Sequence, residues 1–115
     1  MRIISMKGTN MDLTEAIKAH IESRVETLRK LCAEFDPADE LRVEVGKSTK
    51  HHSKGPYFRT EFQLHLPGKD MRAVEEGEDL YVTIDRVRDQ IKRQLTDHKK
   101  KLKDRTLRGG RPGKE

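Results

Sequence analysis

From Leu80 onward apolar side chains return at Ile84, Val87, Ile91 and Leu95, and His98 and Leu102 continue the same stripe, with spacings of four, three, four, four, three and four. This is the period of one helical face and the strongest periodicity in the chain, and it predicts a long helix beginning around Glu78-Asp79. A second helical period starts at Leu13, with Ile17, Ile21, Arg24, Leu28 and Leu31 on the stripe and Thr14 or Asp12 available as N-cap. It ends near Glu34-Phe35-Asp36-Pro37, giving about five turns. Elsewhere the period is two. Leu41, Val43 and Val45 alternate with Arg42 and Glu44, and Phe58, Phe62, Leu64 and Leu66 alternate with Arg59, Glu61, Gln63 and His65, which predicts two half-buried strands. Residues 2–7 read as a first strand ended by Gly8-Thr9-Asn10. Pro67-Gly68-Lys69-Asp70 reads as a turn into a short last strand at Met71 and Ala73.

The order is β-α-β-β-β-α, an α+β domain. Each helix has a single apolar stripe, so both helices must pack on one face of a four-stranded sheet. At 115 residues the chain has room for one such domain and a tail. Ile, Leu, Val and Phe make up only about 22% of the chain, slightly above the level at which disorder becomes the default, so the core is small. Residues 104–115, with Arg105, Arg108, Arg111 and Lys114 among three glycines and a proline, are expected to form a disordered basic tail. The loop 47–56 is basic and polar.

Charge refines this picture by its placement. The net charge is +5, but residues 1–98 hold 17 basic and 18 acidic side chains, whereas 99–115 hold 8 basic and 2 acidic. A polyanionic partner is expected, engaged by the C-terminal segment and by the way charge is distributed over the helices. The lone cysteine, Cys32, excludes an internal disulfide and fits a reducing compartment. Nothing approaches the roughly 20 apolar residues of a membrane span, and the N-terminus lacks the apolar segment of a signal peptide. A cytoplasmic chain with no membrane partner is expected.

Catalytic chemistry has little support. His51 and His52 are adjacent in a loop, Cys32 sits at a helix end, and no ligand spacing recurs, so no catalytic residue, metal or cofactor is expected. Binding has more. At 100° per residue Arg88, Lys92, Lys99 and Lys103 fall within about 60° of one another on the last helix. Arg86, Arg93 and Lys100 form a second row, diluted by Asp89 and Asp97, while Lys18 and Arg29 share a flank of the first helix. The bland alternative is a pair of solvated helix faces balanced by acids. Arg24 stands out because it lies on an apolar stripe, where it would snorkel to the groove between the helices. Rows of cations on rigid helices suit shape-specific recognition of folded RNA through its phosphates. With only Phe35, Tyr57, Phe58, Phe62 and Tyr81 as aromatics, stacking on single-stranded bases is disfavoured.

The opening Gly8 with Leu13-Thr14, Ala16-Ile17 and Ile21, and the run Glu78-Asp79-Leu80-Tyr81-Val82-Thr83-Ile84-Asp85 followed by Arg93-Gln94-Leu95 and His98-Lys99, resemble the ribosome hibernation promoting factors, also called ribosome-associated inhibitors or sigma-modulation proteins. The resemblance covers residues 2–103. It implies a non-enzymatic factor of stationary phase or stress that lodges in the decoding region of the small ribosomal subunit and blocks messenger and transfer RNA. Lys18, Arg24, Lys30, Arg93, Lys99 and Lys101 coincide with basic positions the family uses against ribosomal RNA. Relatives often carry Lys where this chain has Thr27, Gln90 and Asp97, and Arg86, Arg88 and Lys92 replace that charge from neighbouring positions. The length resembles the short form, which is expected to be a monomer when free. The ending His98-Lys99-Lys100-Lys101-Leu102-Lys103 looks more like members that promote ribosome dimers with a separate ribosome modulation factor. A sigma-factor-modulating interaction module and a general double-stranded RNA binder are the alternatives.

Overall fold

The computed structural model describes residues 1–33, 39–47 and 57–109, the last four by their backbone alone. The elements are β1 (Arg2–Thr9), α1 (Glu15–Cys32), β2 (Glu40–Lys47), β3 (Phe58–Leu66), β4 (Lys69–Gly77) and α2 (Leu80–Gly109). The sheet order is β1-β2-β3-β4, with β1 parallel to β2 and the remaining pairs antiparallel. A parallel pair needs a long crossover, and α1 supplies it. The β3–β4 hairpin turns through Pro67 and Gly68. Proline presets φ near −65° at the first turn position, and Gly68 adopts the positive φ of 77° required at the second.

Apart from Ile4, which falls where the β1–β2 register shifts, the register sorts the strand residues onto two faces. Ile3, Leu41, Leu64 and Met71 form one cross-sheet row, and Met6, Val43, Phe62 and Ala73 the next, all towards the helices. The rows between them, Ser5-Arg42-Gln63-Arg72 and Lys7-Glu44-Glu61-Val74, face away. Both helices cover the apolar face, as the single stripes require.

Thr14 caps α1, its hydroxyl accepting from the Ile17 amide at 3.2 Å. The helix buries Ile17, Ile21, Val25, Leu28 and Cys32. That stripe is rotated from the one read in the sequence: Val25 and Cys32 are in the core, Leu31 is half-buried, and Arg24 lies at the edge of the packed surface. Burial pushes the Cys32 thiol up to about 11, reinforced by the nearby charge of Asp39, so it is an inert core group.

Asp79 caps α2, its carboxylate accepting from the Tyr81 and Val82 amides at 2.9 and 3.3 Å. Leu80, Ile84, Val87, Ile91 and Leu95 are buried as the period predicts, but His98 and Leu102 are only half-buried although they continue the same stripe. The helix also runs on to Gly109, past position 104 where the sequence places the start of a disordered tail. The physical reason is propensity: residues 96–108 contain no Pro or Gly and are rich in Lys, Arg and Leu, so nothing stops the helix before the Gly109-Gly110 pair. Residues 110–115, most of the 47–56 loop including His51 and His52, and 34–38 lie outside the described residues.

The uncovered sheet face is closed by its own ion pairs. Glu61 is only 7% exposed although it points away from the helices, because Arg72 Nε (2.5 Å), Gln63 Nε2 (2.6 Å) and Arg59 Nη2 (3.1 Å) crowd its carboxylate. The Arg72 hydrogen bond, helped by Gln63 and Arg59 against the cost of burial, holds the Glu61 carboxyl down to about 2. Across this face five cations, Arg2, Lys7, Arg42, Arg59 and Arg72, meet five carboxylates, Glu40, Glu44, Glu61, Asp70 and Glu76. A polyanion gains nothing there from net charge.

Candidate nucleic-acid interface

The two helices meet along a polar seam. His20, Arg24 and Thr27 follow one another at spacings of four and three on α1, which puts them on one flank, and Tyr81, Asp85 and Arg88 do the same on α2. Asp85 Oδ1 accepts from Arg24 Nε at 2.7 Å and meets His20 Nε2 at 2.8 Å. The His20 ring stands edge-on to Tyr81, with ring centroids 4.7 Å apart. Arg88 Nη1 donates to Thr27 Oγ1 at 3.1 Å and Arg88 Nε to Asp89 at 2.7 Å. Burial works to raise the Asp85 carboxyl, but the hydrogen bonds and charges of Arg24 and His20 outweigh it and hold the group below the usual carboxylate range.

Beyond the seam the cations of α2 fall into two rows on opposite flanks. Arg88, Lys92, Lys99 and Lys103 share the α1 side, as their angular positions require. On the other side Gln90 bonds the Glu75 carboxylate and Gln94 Nε2 donates to the Arg72 carbonyl at 3.0 Å, fixing α2 to β4. Along that flank a groove of about 500 Å³ is lined by Arg86 and Arg93 with Glu75, Asp89, Gln90 and Gln94. Lys101 continues this flank about two turns beyond Gln94. Arg86, Lys92, Arg93 and Lys101 are exposed and have no carboxylate partner among the described residues. Residues 80–105 hold nine cations against Asp85, Asp89, Asp97 and Asp104. Where the chain leaves the sheet, burial lowers the His98 pKa, with Lys69, Arg105 and Lys101 acting in the same direction.

The expected binding residues are therefore not one patch. Arg24, Arg88 and Lys92 lie along the seam, with Lys99 further along the same flank, and Arg86, Arg93 and Lys101 lie on the other flank of α2. Lys18 and Lys30, each six residues from Arg24, point about 120° to either side of it. Lys18 is exposed, with Glu15 at 3.7 Å, and Lys30 is exposed. His20 and Asp85 were not among the residues singled out for binding, yet they hold Arg24 in place. The available signal was two polar residues four apart, His20 and Arg24, bordering an apolar stripe: such edge positions meet the neighbouring helix.

Among the described residues no group of three or more His, Cys, Asp and Glu could hold a metal ion. No described helix is long and apolar enough to cross a membrane. What this arrangement can do is present fixed rows of cations on one layer of the fold.

Residues 4–103 match the family described as Sigma 54 modulation protein / S30EA ribosomal protein. The chain belongs to this family. It is 30% identical over 100 residues to the ribosome hibernation promoting factor of Escherichia coli (strain K12), a match covering 87% of this chain and 96% of that protein. The ribosome hibernation promotion factor of Picosynechococcus sp. is 31% identical over 84% of this chain, but the match spans 48% of that longer protein. In structure, the chain resembles the N-terminal domain of Protein Y from Thermus thermophilus, with a TM-score of 0.68 and 31% identity over 85% of this chain and 99% of that one.

Proposed function

We propose that this chain is a ribosome hibernation factor that binds the small ribosomal subunit at the decoding region through its helical layer. There it blocks messenger and transfer RNA in stationary phase or stress. The observation that carries this reading is the one-sided charge: α2 is strongly cationic, the open sheet face balances five cations with five carboxylates, and the chain belongs to a family with curated hibernation factors. Folded RNA offers phosphates at fixed spacings, which rows of Lys and Arg on rigid helices can meet without reading bases. Arg24, Arg86, Arg88, Lys92, Arg93, Lys99 and Lys101 are the central contacts, with Lys18 and Lys30 at the margins. Residues 1–103 form the binding domain, and 104–115 are its basic C-terminal tail.

Cosedimentation with purified small subunits tests this reading. The chain should pellet with the subunit at low salt and compete with messenger and transfer RNA. Binding to a sigma factor without binding to small subunits would favour the sigma-modulating role instead, and equal affinity for any RNA duplex would favour a general duplex binder. Promotion of ribosome dimers is tested separately, by gradient centrifugation with and without a ribosome modulation factor. The proposed dimer-promoting role expects more dimers when both proteins are present.

A further inference from the structure

A carboxylate among cations works against phosphate binding, and Asp85, with its side chain 37% exposed, lies on the seam that also carries Arg24 and Arg88. Its neighbours explain what it does there. Arg24 is held at two of its three guanidinium nitrogens, Nε by Asp85 at 2.7 Å and Nη1 by Ser23 Oγ at 3.2 Å, and its Nη2 has no partner among the described residues. Arg88 is held in the same way, Nε by Asp89 and Nη1 by Thr27, again leaving Nη2. Two arginines facing each other across the seam are thus clamped, each with one nitrogen left over. His20 completes the clamp by sharing the Asp85 oxygen that Arg24 uses, its ring fixed against Tyr81.

Resting on the ribosome-binding reading above, we infer that Asp85 is a specificity-determining residue of the seam: it positions Arg24 and keeps phosphate off the rest of the seam, so that only RNA with phosphates at the clamped arginines' spacing binds well. An unclamped arginine follows any phosphate within reach. A clamped one rewards a single geometry and loses less freedom on meeting it. The carboxylate adds repulsion against phosphates anywhere else along the seam, which is how specificity is gained by penalising the wrong partner.

The sign of the outcome separates this from simpler roles. Asp85→Asn raises the net charge by one, so simple electrostatics predicts tighter binding to every RNA. The inference predicts instead that Asp85→Asn binds an arbitrary RNA duplex a few-fold more tightly and small subunits several-fold more weakly, so that the preference for subunits over duplex falls by about tenfold or more. Arg24→Lys keeps the charge but loses the Nε contact and the planar fork. It should also lose preference, with little change in duplex affinity, and it decides the question if Asp85→Asn proves unstable in a thermal melt. Both affinities moving by the same factor in folded variants, upward as for a bare charge or downward as for a structural residue, would overturn the inference, as would no change in either. Failure of the wild-type chain to bind small subunits would instead remove the functional reading itself.

Discussion

The two halves of α2 carry the same hydrophobic period and have opposite roles. From Leu80 to Leu95 the stripe lies over β3 and β4 and is buried, with Ile84, Val87 and Ile91 fully inaccessible and the Gln90 and Gln94 side chains tied to β4. From Thr96 onward no described side chain is buried, although His98 and Leu102 fall on the same stripe. Periodicity shows that a helix has an apolar face. Whether that face is covered depends on how far the sheet beneath it extends. The uncovered half is also where lysines cluster, Lys99, Lys100, Lys101 and Lys103, so the helix that anchors the fold carries its charge outward as an arm.

The sharpest way to break this contrast is to cut the stripe in each half. Ile91→Ala removes a fully buried side chain and should cost about 2–5 kcal/mol of stability in a denaturant titration. A comparable loss from Leu102→Ala would show that the distal stripe is covered after all; the account expects that variant to stay within about 0.5 kcal/mol of wild type.

The next effect is on binding. Lys92→Glu combined with Arg93→Glu should weaken binding to small subunits by more than tenfold, because charge reversal adds repulsion to lost attraction on both flanks of α2. The melting temperature should hardly move, since both side chains are exposed. A large fall in melting temperature would place those residues in the packed half's support rather than on a free surface.

Acid should act on the packed half. Glu61 titrates at about 2 in the folded chain against an ordinary value of 4.5, so the folded state binds fewer protons than the unfolded state between those values. Its stabilising effect is complete above about pH 4.5 and is lost as pH falls towards 2. Protonation frees Arg72, whose backbone carbonyl receives Gln94 of α2. Thermal melts from pH 5 to pH 2 should show a loss of stability that Glu61→Gln reduces.

The smallest effect belongs to the end of the arm. Truncation after Lys103 removes four cations and the two carboxylates of Asp104 and Glu115. It should lower subunit affinity a few-fold and leave the melting behaviour unchanged.

Much of this was legible in the chain. Alternation at Leu41-Val43-Val45 and Phe62-Leu64-Leu66 gave the inward faces of β2 and β3, and the three-four spacing gave both helices, because burial on one side leaves a period in the residues. The stripe of α1 lies part of a turn from the one the pattern predicts, through Val25 and Cys32 in place of Arg24 and Leu31, since an arginine at a helix edge and a buried thiol fit the same period. The burial of Glu61 was illegible, because it arises from three donors on its own strand and on β4, brought together only by the register. The same holds for the site. Its cationic rows follow from helical angles, but the joining of Arg24 to Asp85 depends on which flank α1 turns towards α2, and no local pattern encodes that. The length of α2 exceeds what the composition of 104–115 suggests, because the glycines and the proline of that segment begin only at 109.

The proposed function requires the cationic helical layer to bind the small ribosomal subunit through its phosphates. Cosedimentation of the wild-type chain with purified small subunits over rising salt tests it most directly. Each neutralised phosphate releases counterions, with a slope on the order of 0.7–0.9 per contact on simple nucleic acids, so affinity should be high at low salt and fall steeply towards physiological levels. Failure to pellet at low salt, or an affinity indifferent to salt, would contradict it.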